Sequence, residues 1–151
     1  MQPYLYGPKF MWNLDGSVGK GGANRSATDV SFIQWYYTLA ANFHLTTPEN
    51  KAIYRKVKVT GTCNGTENDP LVAAIFAQQR SMNHSPADGK VSVVTGSGKI
   101  GVSAFFLLRL EARFAIMYPN AWPRLDLIPT CPGNIAQVSR DTVPSMAEIT
   151  H

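Results

Sequence analysis

One stretch of the chain carries a motif with well-defined chemistry. Residues 96–101 read Gly-Ser-Gly-Lys-Ile-Gly, and this G-x-G-x-x-G pattern holds a dinucleotide pyrophosphate when it joins a strand to a helix. A strand is possible before it and a helix after it. However, residues 102–151 are rich in proline and offer no second strand that ends in an acidic residue. We therefore expect an adaptable loop here and no bound cofactor.

Nucleophilic or metal chemistry would depend on two cysteines and three histidines. Cys63 with His44 or His84 is the obvious pair for a thiolate nucleophile, but the loop around Cys63 has no recognisable nucleophile turn. The three histidines, including His151, are scattered, and no metal-ligand spacing occurs within one element. We expect a non-enzyme without catalytic or metal-binding residues. Cys63 and Cys131 could form one disulfide or remain two free thiols.

Aromatic and basic side chains are the groups that we expect to bind a ligand. Trp35 and Tyr36 could present flat rings for stacking, and Arg80 and Lys90 could bind carboxylates. The formal charge of +4 mildly favours anionic partners, but no basic run is dense enough to indicate a nucleic-acid partner. No stretch of 18 apolar residues occurs, so we expect no insertion into a membrane.

The clearest structural element is a helix predicted over residues 27–43. Ser26 and Asp29 stand in the S-x-x-D relation of a capping box at its start. Its apolar residues fall on two opposite faces, whereas a surface helix needs only one. One face comprises Val30, Ile33, Tyr37 and Ala41, and the other comprises Phe32, Tyr36, Leu39 and Phe43. The second face must be covered by another part of the chain, by a partner or by a ligand.

Two further helices are predicted. Asn68-Asp69-Pro70 supplies a cap residue followed by proline, and starts a helix over residues 70–81. Apolar spacing predicts another helix over residues 102–118. Residues 52–59 could form a short strand or a helical turn, and residues 90–95 a short strand.

The two ends of the chain look irregular. Residues 1–22 form an arm with alternating aromatics, which suggest a short strand or a segment laid on a surface, and a glycine-rich loop. Four prolines after residue 119 predict an extended tail over residues 119–151 that packs on the domain between, residues 23–118. This tail or the arm is the first candidate for covering the second face of the first helix.

Two glutamines indicate how the loops are held. Gln34 lies on the core-facing stripe of the first helix, where an amide is costly unless its donors and acceptor are paired, so we expect it to tie down a neighbouring loop. Gln78 or Gln79 should do the same from the second helix. Asp88 is expected to serve as the turn residue before Gly89.

Four motifs resemble the peptidoglycan-binding-domain-like family in their order and approximate spacing. They follow the run from Ser17 to Asn24, and the likeness covers about residues 17–102. Tyr37 replaces the usual leucine, Gln78 replaces the usual aromatic residue, and residues 57–67 lack the usual aspartate-glycine turn. The motifs are Asp29-Val30-x-x-Ile33-Gln34-x-x-Tyr37, Val59-x-Gly61-x-Cys63-x-Gly65, Ala74-Ile75 leading to Gln79, and Ala87-Asp88-Gly89-Lys90-Val91.

The resemblance implies a mainly α fold, a small three-helix bundle with glycine turns in which short strands are possible. It also implies a non-catalytic module that binds peptidoglycan or a related glycan. The alternative is a structural or adaptor subunit of a phage tail or secretion particle, with the second helix face buried by protein partners or other copies. The first residues lack the basic start and apolar run of a signal peptide. We expect synthesis in a bacterial cytoplasm, or a place in a phage or secretion particle that acts at the cell envelope.

Overall fold

The computed structural model describes residues 1–96 and 105–150, and side chains as far as residue 142. In this part of the chain, five α-helices accompany two antiparallel two-stranded sheets, so the fold is mixed α/β and the predicted three-helix bundle is wrong. The strands are β1 (Gln2–Tyr6), β2 (Lys9–Asn13), β3 (Val18–Gly19) and β4 (Lys90–Val91). The helices are α1 (Ala27–Ala40), α2 (Pro48–Tyr54), α3 (Pro70–Ser81), α4 (Phe106–Met117) and α5 (Gly133–Thr150).

The predicted N-terminal arm is a β-hairpin packed on the core. β1 pairs with β2 in the register that sets Gln2 opposite Asn13 and Tyr6 opposite Lys9. Trp12 is fully buried, and its indole N–H donates to the carbonyl of Pro123 at 2.9 Å. The alternating aromatics therefore mark a strand, as one of the two alternatives predicted.

The start of α1 follows the sequence prediction. The backbone N–H of Asp29 donates to the Ser26 hydroxyl at 3.1 Å. The Asp29 carboxylate accepts from the backbone N–H groups of Asp15 and Gly16, at 2.9 and 3.0 Å, and its other oxygen lies 2.7 Å from the Met1 ammonium. Asp29 thus ties the segment after the hairpin to the positive end of the helix. The helix ends at Ala40 rather than at residue 43.

Helix α4 covers the second face of α1. The Phe114 ring stacks on Phe32 with centroids 5.4 Å apart, and it lies 5.3 Å from both Trp35 and Tyr36. Trp122, beyond the end of α4, stacks on Phe114 at 5.6 Å. Phe114 of α4 therefore covers Phe32 and Tyr36, Trp122 packs on the Phe114 ring, and Phe43 at the end of this face is half-buried.

The bounds of the other helices agree with the predictions to different extents. α3 has the predicted bounds, and the Asp69 carboxylate accepts from the Leu71 N–H at 2.9 Å. α2 starts at Pro48, with Thr47 as its cap, and no strand forms over residues 52–59. α4 lies inside the predicted range, of which residues 102–104 fall outside the described residues, as does all of the 96–101 motif except Gly96.

The predicted extended tail is wrong for residues 133–150, which form α5. Proline is tolerated just before and at the start of a helix because the first N–H groups have no intrahelical acceptor. Pro132 occupies such a position, and its carbonyl accepts the Ala136 N–H at 2.9 Å. Ile135 and Ser139 are buried on one side of the helix. No helix in the described ranges combines the length and apolar character needed to cross a bilayer.

Candidate functional site

Gln34 ties down a loop, as predicted. Its amide oxygen accepts from the backbone N–H groups of Thr60 and Gly61, at 2.9 and 3.0 Å. Its amide nitrogen donates to the Thr60 hydroxyl and to the Thr62 carbonyl, both at 3.0 Å. Every polar atom of this buried side chain is therefore used inside the chain.

Gln79 plays the same role from α3. Its oxygen accepts the Gly89 N–H at 2.8 Å, and its nitrogen lies 3.1 Å from the Asp88 carboxylate and 3.2 Å from the Lys90 carbonyl. The Asp88 carboxylate also accepts the Lys90 N–H at 3.1 Å, which confirms Asp88 as the turn residue. We call these two arrangements, centred on Gln34 and Gln79, the glutamine clamps.

The residues predicted to bind a ligand do not form one surface. Trp35 and Tyr36 are buried in the core, so the prediction that they present exposed rings is wrong. The Trp35 indole N–H donates to the Thr130 hydroxyl at 3.1 Å. Arg80 is exposed with its guanidinium 5.0 Å from the centre of the Phe76 ring, while Lys90 is half-buried in β4.

A cleft of about 360 Å³ lies where the ends of α1 and α3 meet α2 and α4. Arg109 and Arg113 of α4 line it together with Tyr36 and Gln78. The cleft also has apolar lining, from Phe43, Leu45, Met82 and Met117. We call this site the arginine cleft. Its size and its mixed lining are those of a small-molecule site.

The two arginines give the arginine cleft its charge. Both are half-buried, and within the described residues neither forms an ion pair. Arg109 donates to the Met82 carbonyl at 3.2 Å, which fixes α4 against the end of α3. No aspartate or glutamate is among the described residues that line the cleft. It is therefore a positively charged site with guanidinium groups that can bind an anion.

A relay of hydrogen bonds orients the Tyr36 hydroxyl. Tyr37 donates to the Gln78 amide oxygen at 2.8 Å, and the Gln78 nitrogen donates to the Tyr36 oxygen at 2.5 Å. Burial raises the pKa of Tyr36 to about 12, although the Gln78 hydrogen bond and the Arg113 charge oppose the rise. The phenol therefore keeps its proton at neutral pH, and no described group accepts it. Tyr36 is a third donor for an anion in the cleft.

The two cysteines and His84 are placed for packing. Cys63 and Cys131 are free and half-buried, and burial raises the pKa of both thiols, that of Cys131 to about 11. His84 packs against Phe106 with ring centroids 5.3 Å apart, and burial lowers its pKa. Among the described residues, no three metal-ligating side chains come together. The thiols therefore remain protonated at neutral pH.

Comparison of the chain with protein-family models, with curated proteins and with solved structures finds no match. The function must therefore be argued from the geometry of the site.

Sequence reasoning missed the arginine cleft, although a signal for it exists. Arg109 and Arg113 are four residues apart in a predicted helix, so they share one face. No acidic residue stands three or four positions from either arginine. Two helix-borne cations that lack a helical counter-charge indicate a place for an external anion. The contribution of Tyr36 could not be read this way because it depends on how α1 and α4 pack.

Proposed function

We propose that the chain is a non-catalytic module that binds peptidoglycan and receives a carboxylate of the wall peptide in the arginine cleft. The observation that carries the proposal is the pair of half-buried arginines, Arg109 and Arg113, without an ion-pair partner in the described chain. The arginines indicate an anionic ligand, and the choice of peptidoglycan comes from the sequence motifs over residues 17–102 alone, since no family model matches the chain. The arginines lie outside that range and add a site to it.

The chemistry of a wall peptide suits the cleft. Its carboxylates can each accept two hydrogen bonds from one guanidinium, and such charge-assisted pairs are stronger than neutral ones. Tyr36 supplies a neutral donor beside them. Leu45 and Met117 offer apolar contacts for small side chains such as that of alanine. A volume of about 360 Å³ lies within the range of small-ligand pockets.

The lining of the cleft favours binding over catalysis. The lining residues within ranges 1–96 and 105–142 include no carboxylate, thiol or imidazole, which are the common groups for acid, base or nucleophilic catalysis. The raised pKa of Tyr36 makes this phenol a poor base at neutral pH. The cleft can therefore hold an anion but offers no group suited to cleave it.

The alternative role in a phage or secretion particle was suggested by the second apolar face of α1, and most of that face is covered by the chain. Phe32, Tyr36 and Leu39 are buried by the chain itself, and Phe43 is half-buried at the arginine cleft. A docking role would need another surface, so we retain wall binding as the proposed function.

Co-sedimentation with purified sacculi tests the proposal. We expect the unmutated protein to pellet with sacculi and an Arg109→Gln/Arg113→Gln variant to bind at least tenfold more weakly. An Arg25→Gln/Arg140→Gln variant is the matched control, since it removes two exposed cations elsewhere. Absence of binding by the unmutated protein, or equal weakening in the two variants, would overturn the proposal.

A further inference from the structure

A second basic surface follows the chain as it leaves α2. Arg55, Lys56 and Lys58 are exposed there, beside three shallow depressions of about 370, 260 and 250 Å³. Lys56 lines the first and second depressions, and Lys58 lines the second and third. The depressions therefore adjoin in series. We call this surface the lysine groove.

The carboxylates of the lysine groove are already occupied. Glu67 forms an ion pair with Lys20 at 2.7 Å. Asp69 accepts the Leu71 N–H at 2.9 Å with one oxygen and the Asn64 N–H at 3.0 Å with the other. In the part of the chain that the structure describes, these two are the only acidic residues that line the three depressions.

The cations of the groove, in contrast, are uncompensated. None of Arg55, Lys56 and Lys58 forms an ion pair among the described residues. Three charges of one sign within four positions repel one another in the absence of a ligand. An anionic ligand that spans them would remove this repulsion.

We propose that the lysine groove binds an extended polymer of phosphate groups that carries no bases. Cations spaced along adjoining depressions suit a chain rather than a compact ligand, and exposed lysines act as point charges for phosphates. Bases would need an open aromatic face for stacking. Two described aromatic residues line the depressions: Tyr54 is buried, and Phe76 has Arg80 at 5.0 Å and Lys20 at 5.5 Å from its ring centre. This second ligand surface is independent of wall-peptide binding in the arginine cleft.

The test uses inorganic polyphosphate as the probe and isothermal titration calorimetry as the measurement. At 50 mM NaCl, an Arg55→Gln/Lys56→Gln/Lys58→Gln variant should bind about tenfold more weakly than the unmutated protein. A Lys9→Gln/Arg25→Gln/Arg140→Gln variant also loses three exposed cations and should stay within twofold. Raising the salt to 200 mM should weaken binding by the unmutated protein about tenfold, and weaken the groove variant less, because it releases fewer counterions.

Three further outcomes decide the proposal. Replacing Lys56 and Lys58 by arginine keeps the charges, and this variant should retain binding within threefold. An equal loss of polyphosphate affinity in the two triple variants would show that net charge alone determines binding, and would overturn the proposal. Tighter binding of single-stranded DNA with the same number of phosphates would assign the groove to nucleic acid instead. The Arg109→Gln/Arg113→Gln variant should bind polyphosphate within twofold of the unmutated protein, which separates this result from the sacculus assay.

Discussion

The glutamine clamps and the arginine cleft differ in whether their partly or fully buried polar groups have partners within the chain. In the clamps, the amides of Gln34 and Gln79 have all their polar atoms hydrogen-bonded to loops of the same chain. In the cleft, Arg113 has no ion-pair partner and the Tyr36 proton has no acceptor among the described residues. Both regions are built on helices, and they differ in whether the chain itself completes the hydrogen bonding.

This difference separates residues that maintain the fold from residues available to a ligand. A buried polar group that is fully paired contributes to stability, and the loss of its partner leaves other groups unsatisfied. A half-buried charged group without an ion-pair partner gains no pairing energy to offset its desolvation, and it is available to an external partner. The two regions should therefore respond differently to substitution.

The largest effect is expected at Gln34. A Gln34→Leu substitution leaves the Thr60 and Gly61 N–H groups without their acceptor, so the free energy of unfolding should fall by about 4 kcal/mol. Urea unfolding followed by circular dichroism measures this change. Gln137→Leu on the exposed side of α5 is the control and should change stability by no more than about 0.5 kcal/mol. A loss below about 1 kcal/mol at Gln34 would refute the structural role of the clamp.

The packing around the Gln79 clamp gives the next effect. Gly19 and Gly21 both have positive φ, +115° and +64°, so alanine is strained at either position. At Gly19 the added methyl would overlap the Gly89 carbonyl, whereas no described atom lies within 4 Å of it at Gly21. Gly19→Ala should therefore destabilise the protein by about 2 kcal/mol more than Gly21→Ala in thermal unfolding. Equal losses would show that the two glycine loops are not in contact.

Glu111 combines features of the glutamine clamps and the arginine cleft, because one of its two buried carboxylate oxygens has a hydrogen-bond partner and the other has none among the described residues. Oε1 accepts the Trp12 N–H at 2.7 Å, while Oε2 has none among the described residues. Burial raises the pKa of Glu111 well above the ordinary carboxyl value, although the Trp12 hydrogen bond and the Lys9 charge oppose the rise. The folded protein therefore keeps a proton that the unfolded chain loses above about pH 4.3.

This linkage predicts how stability depends on pH. The stability contributed by the Glu111 proton is complete below about pH 4.3 and declines as pH rises toward the folded pKa, by about 1 kcal/mol per pH unit. Glu111→Gln keeps an acceptor for Trp12 and cannot titrate, so its stability should decline less than that of the unmutated protein between pH 5 and 6. Urea unfolding of both proteins at pH 5 and at pH 6 measures the two declines in stability. Parallel declines in the two proteins would rule out a buried neutral carboxyl.

The smallest effect on stability is expected in the arginine cleft. Arg113→Gln removes a charge that has no ion-pair partner in the described chain, so the free energy of unfolding should change by no more than about 0.5 kcal/mol. Thermal unfolding of this variant and of the unmutated protein measures the change in stability. A loss as large as that of Gln34→Leu would place Arg113 with the structural residues and remove the contrast between the regions.

The glutamine clamps could be predicted because their cause is local. An amide on the core stripe of a helix requires nearby partners, and the glycine loops supply backbone groups within reach. The bounds of α3 were predictable for the same reason, since Asp69 and Pro70 specify its start.

The remaining errors concern contacts between distant parts of the chain. The two apolar faces of α1 did not indicate which element covers the second one, and Phe114 comes from a helix far along the sequence. Exposure of Trp35 and Tyr36 was therefore predicted wrongly. Residues 133–150 form a helix although prolines precede them and Pro144 lies inside. Ile135 is buried and the Ser139 hydroxyl is hydrogen-bonded to Leu125 and Asp126, and the sequence pattern does not reveal these tertiary contacts.

Calorimetric titration with a soluble muramyl peptide tests the central claim most directly. The peptide with free carboxylates should bind the unmutated protein, and it should bind at least tenfold more weakly to Arg113→Gln, because charge-assisted hydrogen bonds contribute roughly 1.5–3 kcal/mol. The same peptide with its carboxylates amidated should lose a similar factor against the unmutated protein and little against Arg113→Gln. Equal affinity for the free and amidated peptides would contradict a carboxylate site in the arginine cleft.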